Sequence, residues 1–178
     1  MKYNSIQDIL NICEETGKPF WRVIMEEDMQ ESAMSETSSF EKMREMYRAM
    51  ADADRNYDAS LKSESRMTGG DGQKLHEYNE AGRNLCGDFV GLAMEKAIKM
   101  GESNACMRRI VAAPTAGACG VIPAVLLSYQ ELYHAEEDRM VEAMFTAAGI
   151  GNVIAMNAYI AGASGGCQAE IGSASAMA

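Results

Sequence analysis

An all-α fold is the reading this sequence supports, and three observations carry it. Apolar residues recur at helical spacing along nearly every segment outside a few glycine clusters. Good helix formers abound, among them 15 methionines together with many alanines, glutamates and leucines. Strand signals are scarce: aromatic residues make up 7% of the chain, and β-branched residues gather only briefly. At 178 residues, 47% hydrophobic and 24% charged, the chain has the length of one domain with a sizeable core. The expectation is a single helical domain over 1–178, with at most a short extended piece at 110–113.

Each element has a local reason. Ser5 caps a first helix, 5–16 (SIQDILNICEET), with Ile6, Ile9, Leu10 and Cys13 on one face. Gly17 ends it, and Pro19 opens the second helix, 19–32, whose apolar side is Phe20, Trp21, Ile24 and Met25. A polar turn, 35–39 (SETSS), leads to a long amphipathic helix over about 40–58. Its stripe is Phe40, Met43, Met46 or Tyr47, Met50 and Ala53, a spacing that means core packing. Residues 60–72 break the pattern. Helices over about 73–79 and 88–100 follow, then a loop at 102–109, the short run IVAA at 110–113 and a second loop at 114–120. Further helices are expected over 121–133, from 136–138 to about 161, and from about 168 onward after the turn 162–166. Residues 1–60 read as an acidic amphipathic subregion and 61–178 as the part that forms a site.

Charge narrows the function classes. The net charge is −10 and the pI about 4.7, without the basic surface that neutralises nucleic-acid phosphates. Residues 1–60 carry 13 acids and 7 bases, whereas 140–178 carry only Glu142 and Glu170. The first part reads as solvated helices and the last as buried. The apolar stretch 140–163 contains Glu142, Asn152 and Asn157 and lacks Lys or Arg anchors, so it reads as a packed internal helix, not a membrane span. The opening MKYNSIQDIL has no apolar h-region and does not read as a signal peptide. Cys13, Cys86, Cys106, Cys119 and Cys167 are odd in number, widely spaced and without a CxxC pair, which points to reduced thiols in a cytoplasm.

Three glycine-bearing loops, 63–71, 114–120 and 162–166, each precede a helix. They read either as tight turns or as one anion site, because helix N-termini present unpaired N–H groups and glycine admits a ligand close to the backbone. Familiar alternatives are missing. There is no GxxxxGK[ST] and no GxGxxG, and no lysine follows Lys99 to serve pyridoxal phosphate. His76 and His134 stand apart and read as surface or core residues. Cys167 lies at or just before the start of the last helix, a place that favours thiolate, and so reads as a nucleophile or a metal ligand.

SxSxxTGGD at 63–71, APTAGACGVIPA at 113–124 and NAYIAGASGGCQAEIGSASAMA at 157–178 resemble the α chain of bacterial iron–sulfur-dependent L-serine dehydratase. Order and spacing are similar along essentially the whole chain, and the last segment is the most specific. The resemblance implies an all-α domain with a [4Fe–4S] cluster held by thiolates, of which Cys167 is the first. It implies Lewis-acid removal of the β-hydroxyl of L-serine, giving pyruvate and ammonia. Substrate contacts would come from Ser63, Ser65, Thr68, Gly69, Gly70, Asp71, Thr115, Ala116, Gly117 and Asn157. The general base stays unassigned, and a separate β chain would cover the site. The later cluster cysteines would lie beyond Ala178, so the 178-residue form is expected to be truncated, cluster-free and inactive alone. Apolar surface around 156–178 should then be exposed, disordered at the end, or buried against a second copy of the chain. One departure is Arg66-Met67, where the family usually has Gly-Leu. A related cysteine desulfidase and a non-catalytic helical scaffold or regulatory subunit are the alternatives.

Overall fold

The computed structural model describes residues 3–178. Among them it has eight α-helices, one 3₁₀ turn and no strand, as the all-α reading expects. The helices are α1 (Ile6–Thr16), α2 (Phe20–Ser32), α3 (Glu36–Arg55), α4 (Asp71–Glu80), α5 (Asp88–Ala105), α6 (Val121–Tyr133), α7 (Glu137–Asn157) and α8 (Gly162–Met177). Residues 110–113 form no strand. The contacts within the chain gather into two compact units, one of residues up to 47 with 136–177, the other of 48–135.

In the first unit, α1 begins with a capping box: Ser5 and Asp8 exchange side-chain and backbone bonds. It ends at Gly17 in the left-handed conformation. Helix α2 packs on α1 and α7, and α7 on α8. The core is Tyr3, Ile9, Val23, Ile24, Met25, Val141 and Phe145, flanked by Phe40, Met43 and Val153. Close approach of α2 and α7 depends on Gly149, where a Cβ would meet Ile24 Cδ1 at 2.5 Å. Arg44 ties α3 to the start of α7 through Glu137 (3.1 Å) and Asp138 (2.5 Å).

In the second unit, α5 is the centre and packs on both α4 and α6. Its buried apolar residues include Met50, Met100, Cys119, Ile122 and Leu127. Two ionic clusters join its helices. Lys96, 8% exposed, bonds Asp54 and Glu131, both at 2.9 Å. Glu95 accepts from Lys99 (2.5 Å) and Asn79 (3.1 Å) and pairs with His76 (3.0 Å). Burial works against each charge, yet the partners win: Lys96 rises above its ordinary pKa and Glu95 falls below its own.

Several boundaries differ from the sequence reading. Helix α3 starts at Glu36 because Ser35 accepts the Ser38 N–H at 3.2 Å, so the polar turn is the first helical turn. Its stripe uses Tyr47, 1% exposed, and not Met46, 44% exposed. Helix α5 runs on to Ala105, so the first half of the expected loop at 102–109 is helix. Helix α7 stops at Asn157, short of the expected 161. No helix among the described residues is long and apolar enough to cross a membrane.

Candidate functional site

The loop 63–71 closes on itself. Ser63 N–H donates to the Thr68 carbonyl (2.9 Å), and Thr68 N–H donates to Ser63 Oγ (3.2 Å). Ser63 Oγ and Ser65 Oγ lie 3.2 Å apart, and Arg66 N–H reaches the Ser63 carbonyl at 2.8 Å. Two glycines then turn the chain with φ of 134° at Gly69 and 80° at Gly70. A Cβ on Gly69 would run into the Leu61 carbonyl oxygen, so glycine is required there by both backbone and space. Lys62 Nζ donates to the Gly69 carbonyl. Arg66 stands at φ 60°, in the left-handed region where the expected glycine would sit without strain. Met67 is 87% exposed.

The start of α4 is occupied from within. Glu102, 4% exposed, accepts the N–H groups of Asp71 (2.7 Å) and Gly72 (3.1 Å) and the Tyr57 hydroxyl. Burial pushes the Glu102 carboxyl upward, but these bonds carry it below the ordinary glutamate value. Burial and the adjoining carboxylate push Tyr57 up to about 12. Asp71, the first residue of α4, turns outward to Lys74 at 2.7 Å.

The second glycine loop leads from Pro114 into the turn Ala116–Ala118. Thr115 precedes that turn and is half-buried, while Ala116 and Gly117 are exposed. Asn104 donates to the Ala116 carbonyl at 3.0 Å. Gly120 packs on α5, where a Cβ would lie 2.8 Å from the Ala97 carbonyl oxygen. Cys119 is buried, which raises its pKa. The last turn of α5 therefore holds both loops, the first through Glu102 and the second through Asn104.

Asn157 and Cys167 belong to the other unit. Asn157 ends α7, where its amide donates to the Val153 carbonyl (2.8 Å) and the Asn4 carbonyl (3.2 Å). Helix α8 is broken at Gly166, φ 80°, so Cys167 opens its second, longer part, close to the expected start at 168. Cys167 is exposed, as are Met156 (39%), Tyr159 (72%) and Ile171 (44%), so residues 156–172 are not the buried part that their lack of charge predicts. Among the described residues no three His, Cys, Asp or Glu side chains come together as a metal site. One thiolate does not hold a four-iron cluster, so the residues present do not fit that group by themselves.

Glu102 and Tyr57 escaped the sequence reading. Glu102 falls in the expected loop at 102–109, and a buried acid 30 to 45 residues from its partners in sequence leaves no periodic mark. The pairing of His76 with Glu95 is equally silent in the sequence, where His76 reads only as a surface or core residue. Beside that pair lies an open cleft of about 360 Å³, lined by Asn79, Lys96, Lys99 and Glu131 among others.

Known proteins resemble this chain closely. The family described as "Serine dehydratase alpha chain" matches residues 15–178. The "L-serine dehydratase, alpha chain" of Peptoniphilus asaccharolyticus is 39% identical over 176 residues, 98% of this chain and 60% of that protein. The "Probable L-serine dehydratase, alpha chain" of Bacillus subtilis (strain 168) is 35% identical, over 99% of this chain and 59% of its own. The "L-serine dehydratase" of Haemophilus influenzae is 32% identical over 99% of this chain and 40% of its own. The chain thus spans about 60% of the length of the first two relatives. No solved structure matches it. Through its loops, its helices and these relatives, the chain belongs to the serine dehydratase alpha chain family.

Proposed function

We propose that this chain forms part of the α subunit of an L-serine dehydratase, which converts L-serine to pyruvate and ammonia. The observation that carries the reading is near-complete coverage of the chain by relatives bearing that name. The loop geometry supports it. Ser63, Ser65, Thr68, Gly69, Gly70 and Asp71 form one bonded loop, and the turn carrying Thr115, Ala116 and Gly117 is fixed to the same end of α5. In this reading the hydroxyls and backbone of the first loop bind the serine carboxylate, and Thr115 lies on the second substrate-binding loop. Asn157 is assigned to the substrate as well.

Cys167 is assigned as one thiolate ligand of a [4Fe–4S] cluster, whose other ligands come from outside these 178 residues. No histidine of this chain lies in a glycine loop, since His76 pairs with Glu95 on α4 and α5 and His134 ends α6. The base therefore lies outside the glycine loops of these 178 residues, and a β chain that covers the site completes the enzyme in a cytoplasm. The test is co-expression of the whole protein with its β chain, anaerobic loading with iron and sulfide, iron quantification, and assay of pyruvate from L-serine against L-cysteine. Turnover of L-serine with bound iron is expected. Sulfide release from L-cysteine without serine turnover would replace this reading with the desulfidase one. An iron-free assembly inactive on both would leave a scaffold.

A further inference from the structure

We propose that Glu102 is a positioning residue for substrate binding: with Tyr57 it clamps the start of α4 and thereby fixes the loop 63–70 in its binding shape. The inference rests on the reading that this loop holds the serine carboxylate. Burying a carboxylate is costly unless its oxygens are bonded. Both Glu102 oxygens are used, one by Asp71 N–H and the other by Gly72 N–H and the Tyr57 hydroxyl. The charge also sits at the positive end of α4. The consequence is specific. An incoming carboxylate does not take these two N–H groups, because Glu102 already has them, so it binds to the loop upstream and not to the helix end.

The clamp has little slack. A Cβ on Gly72 would meet Lys99 Cγ at 2.7 Å and Tyr57 Oη at 3.1 Å, so Tyr57 and α5 press directly on the first turn of α4. On the loop side, Lys62 grips the Gly69 carbonyl. Asn104, two residues beyond Glu102, holds the Ala116 carbonyl, so the same helical turn sets the second loop. Glu102 touches no substrate atom in this scheme and acts through the backbone it holds.

The experiment compares Glu102→Gln, Tyr57→Phe and Ser65→Ala in the assembled, iron-loaded enzyme with its β chain. A loop displaced by a fraction of an ångström binds poorly, so Glu102→Gln is expected to raise KM for L-serine about tenfold with a much smaller change in kcat. Tyr57→Phe removes one of three bonds and is expected to raise KM about threefold. Hydrogen exchange should quicken in peptides covering 61–72 in both variants and stay unchanged in peptides from α7. An unchanged KM in iron-loaded Glu102→Gln overturns the proposal, as does unchanged exchange at 61–72. Should Glu102→Gln fail to fold, Tyr57→Phe carries the same comparison. If Ser65→Ala raises KM while both clamp variants do not, only the clamp is wrong. If Ser65→Ala leaves KM unchanged, the loop does not bind substrate and the clamp loses its role.

Discussion

Two stretches of this chain are rich in glycine, serine and other small residues, and they are built in different ways. The loop 63–71 is bonded internally through Ser63, Ser65 and Thr68, held by Lys62, and anchored at its end by a buried carboxylate. Its paired glycines are demanded by positive φ. The stretch 159–168 is mostly exposed, from Tyr159 to Gln168, and its recorded side-chain bond is local, Ser164 to Ala161 at 3.3 Å. Small residues fix a shape in the first stretch. In the second stretch Gly162 and Gly165 also allow close approach, to Glu170 and Tyr159, and Gly166 has a positive φ, yet the surface stays open and no buried charge anchors it. Composition alone does not separate these uses; the polar partners do.

Substitutions sharpen the contrast, and the largest effect is expected at the anchor. Glu102→Ala leaves two N–H groups and a hydroxyl without their partner and should cost about 4 kcal/mol, read as a lower denaturation midpoint. Gly69→Ala forces a Cβ onto the Leu61 carbonyl at φ 134° and should cost about 3 kcal/mol. In the other stretch's helix the sign reverses. Gly172 is exposed, with open space around a built Cβ, and Gly172→Ala should stabilise by about 1 kcal/mol through helix propensity. Equal thermal shifts for Gly69→Ala and Gly172→Ala would erase the distinction. Arg66→Gly should stabilise by about 0.5 kcal/mol, as relief of left-handed strain outweighs the added chain entropy.

The pH effect is confined to the alkaline end. Tyr57 has its pKa raised in the fold, so its contribution is present in full below its unfolded value, about 10, and fades as pH climbs toward about 12. Lys96, also raised, acts in the same direction. Stability should therefore decline over that alkaline window, and Tyr57→Phe should flatten the decline. An identical pH profile for the variant would remove Tyr57 as its source.

Much of the helical architecture was legible in the sequence because it is written locally. The Ser5 cap, the Gly17 stop and a stripe through Phe40, Met43, Met46 or Tyr47, and Met50 are readable from neighbours in the chain; the cap and the stop stand in the structure, and the stripe resolves to Tyr47. Helix ends were misplaced where a cap such as Ser35, or packing along α5, extended a helix into polar sequence. The glycine loops announced themselves by composition. Their support did not: Tyr57, Lys62, Glu102 and Asn104 act across distances of sequence that periodicity never samples. Even the unusual Arg66 became interpretable only when its φ was known.

Amide-resolved hydrogen exchange on this polypeptide tests the contrast most directly, because exchange reports the free energy of local opening. The amides of Asp71 and Gly72, bonded to Glu102, should exchange at least about a hundredfold more slowly than those of Ser164 to Cys167, after correction for intrinsic rates. Glu102→Gln should bring the first pair toward the second. Equal protection of the two stretches in the unaltered chain would contradict the account.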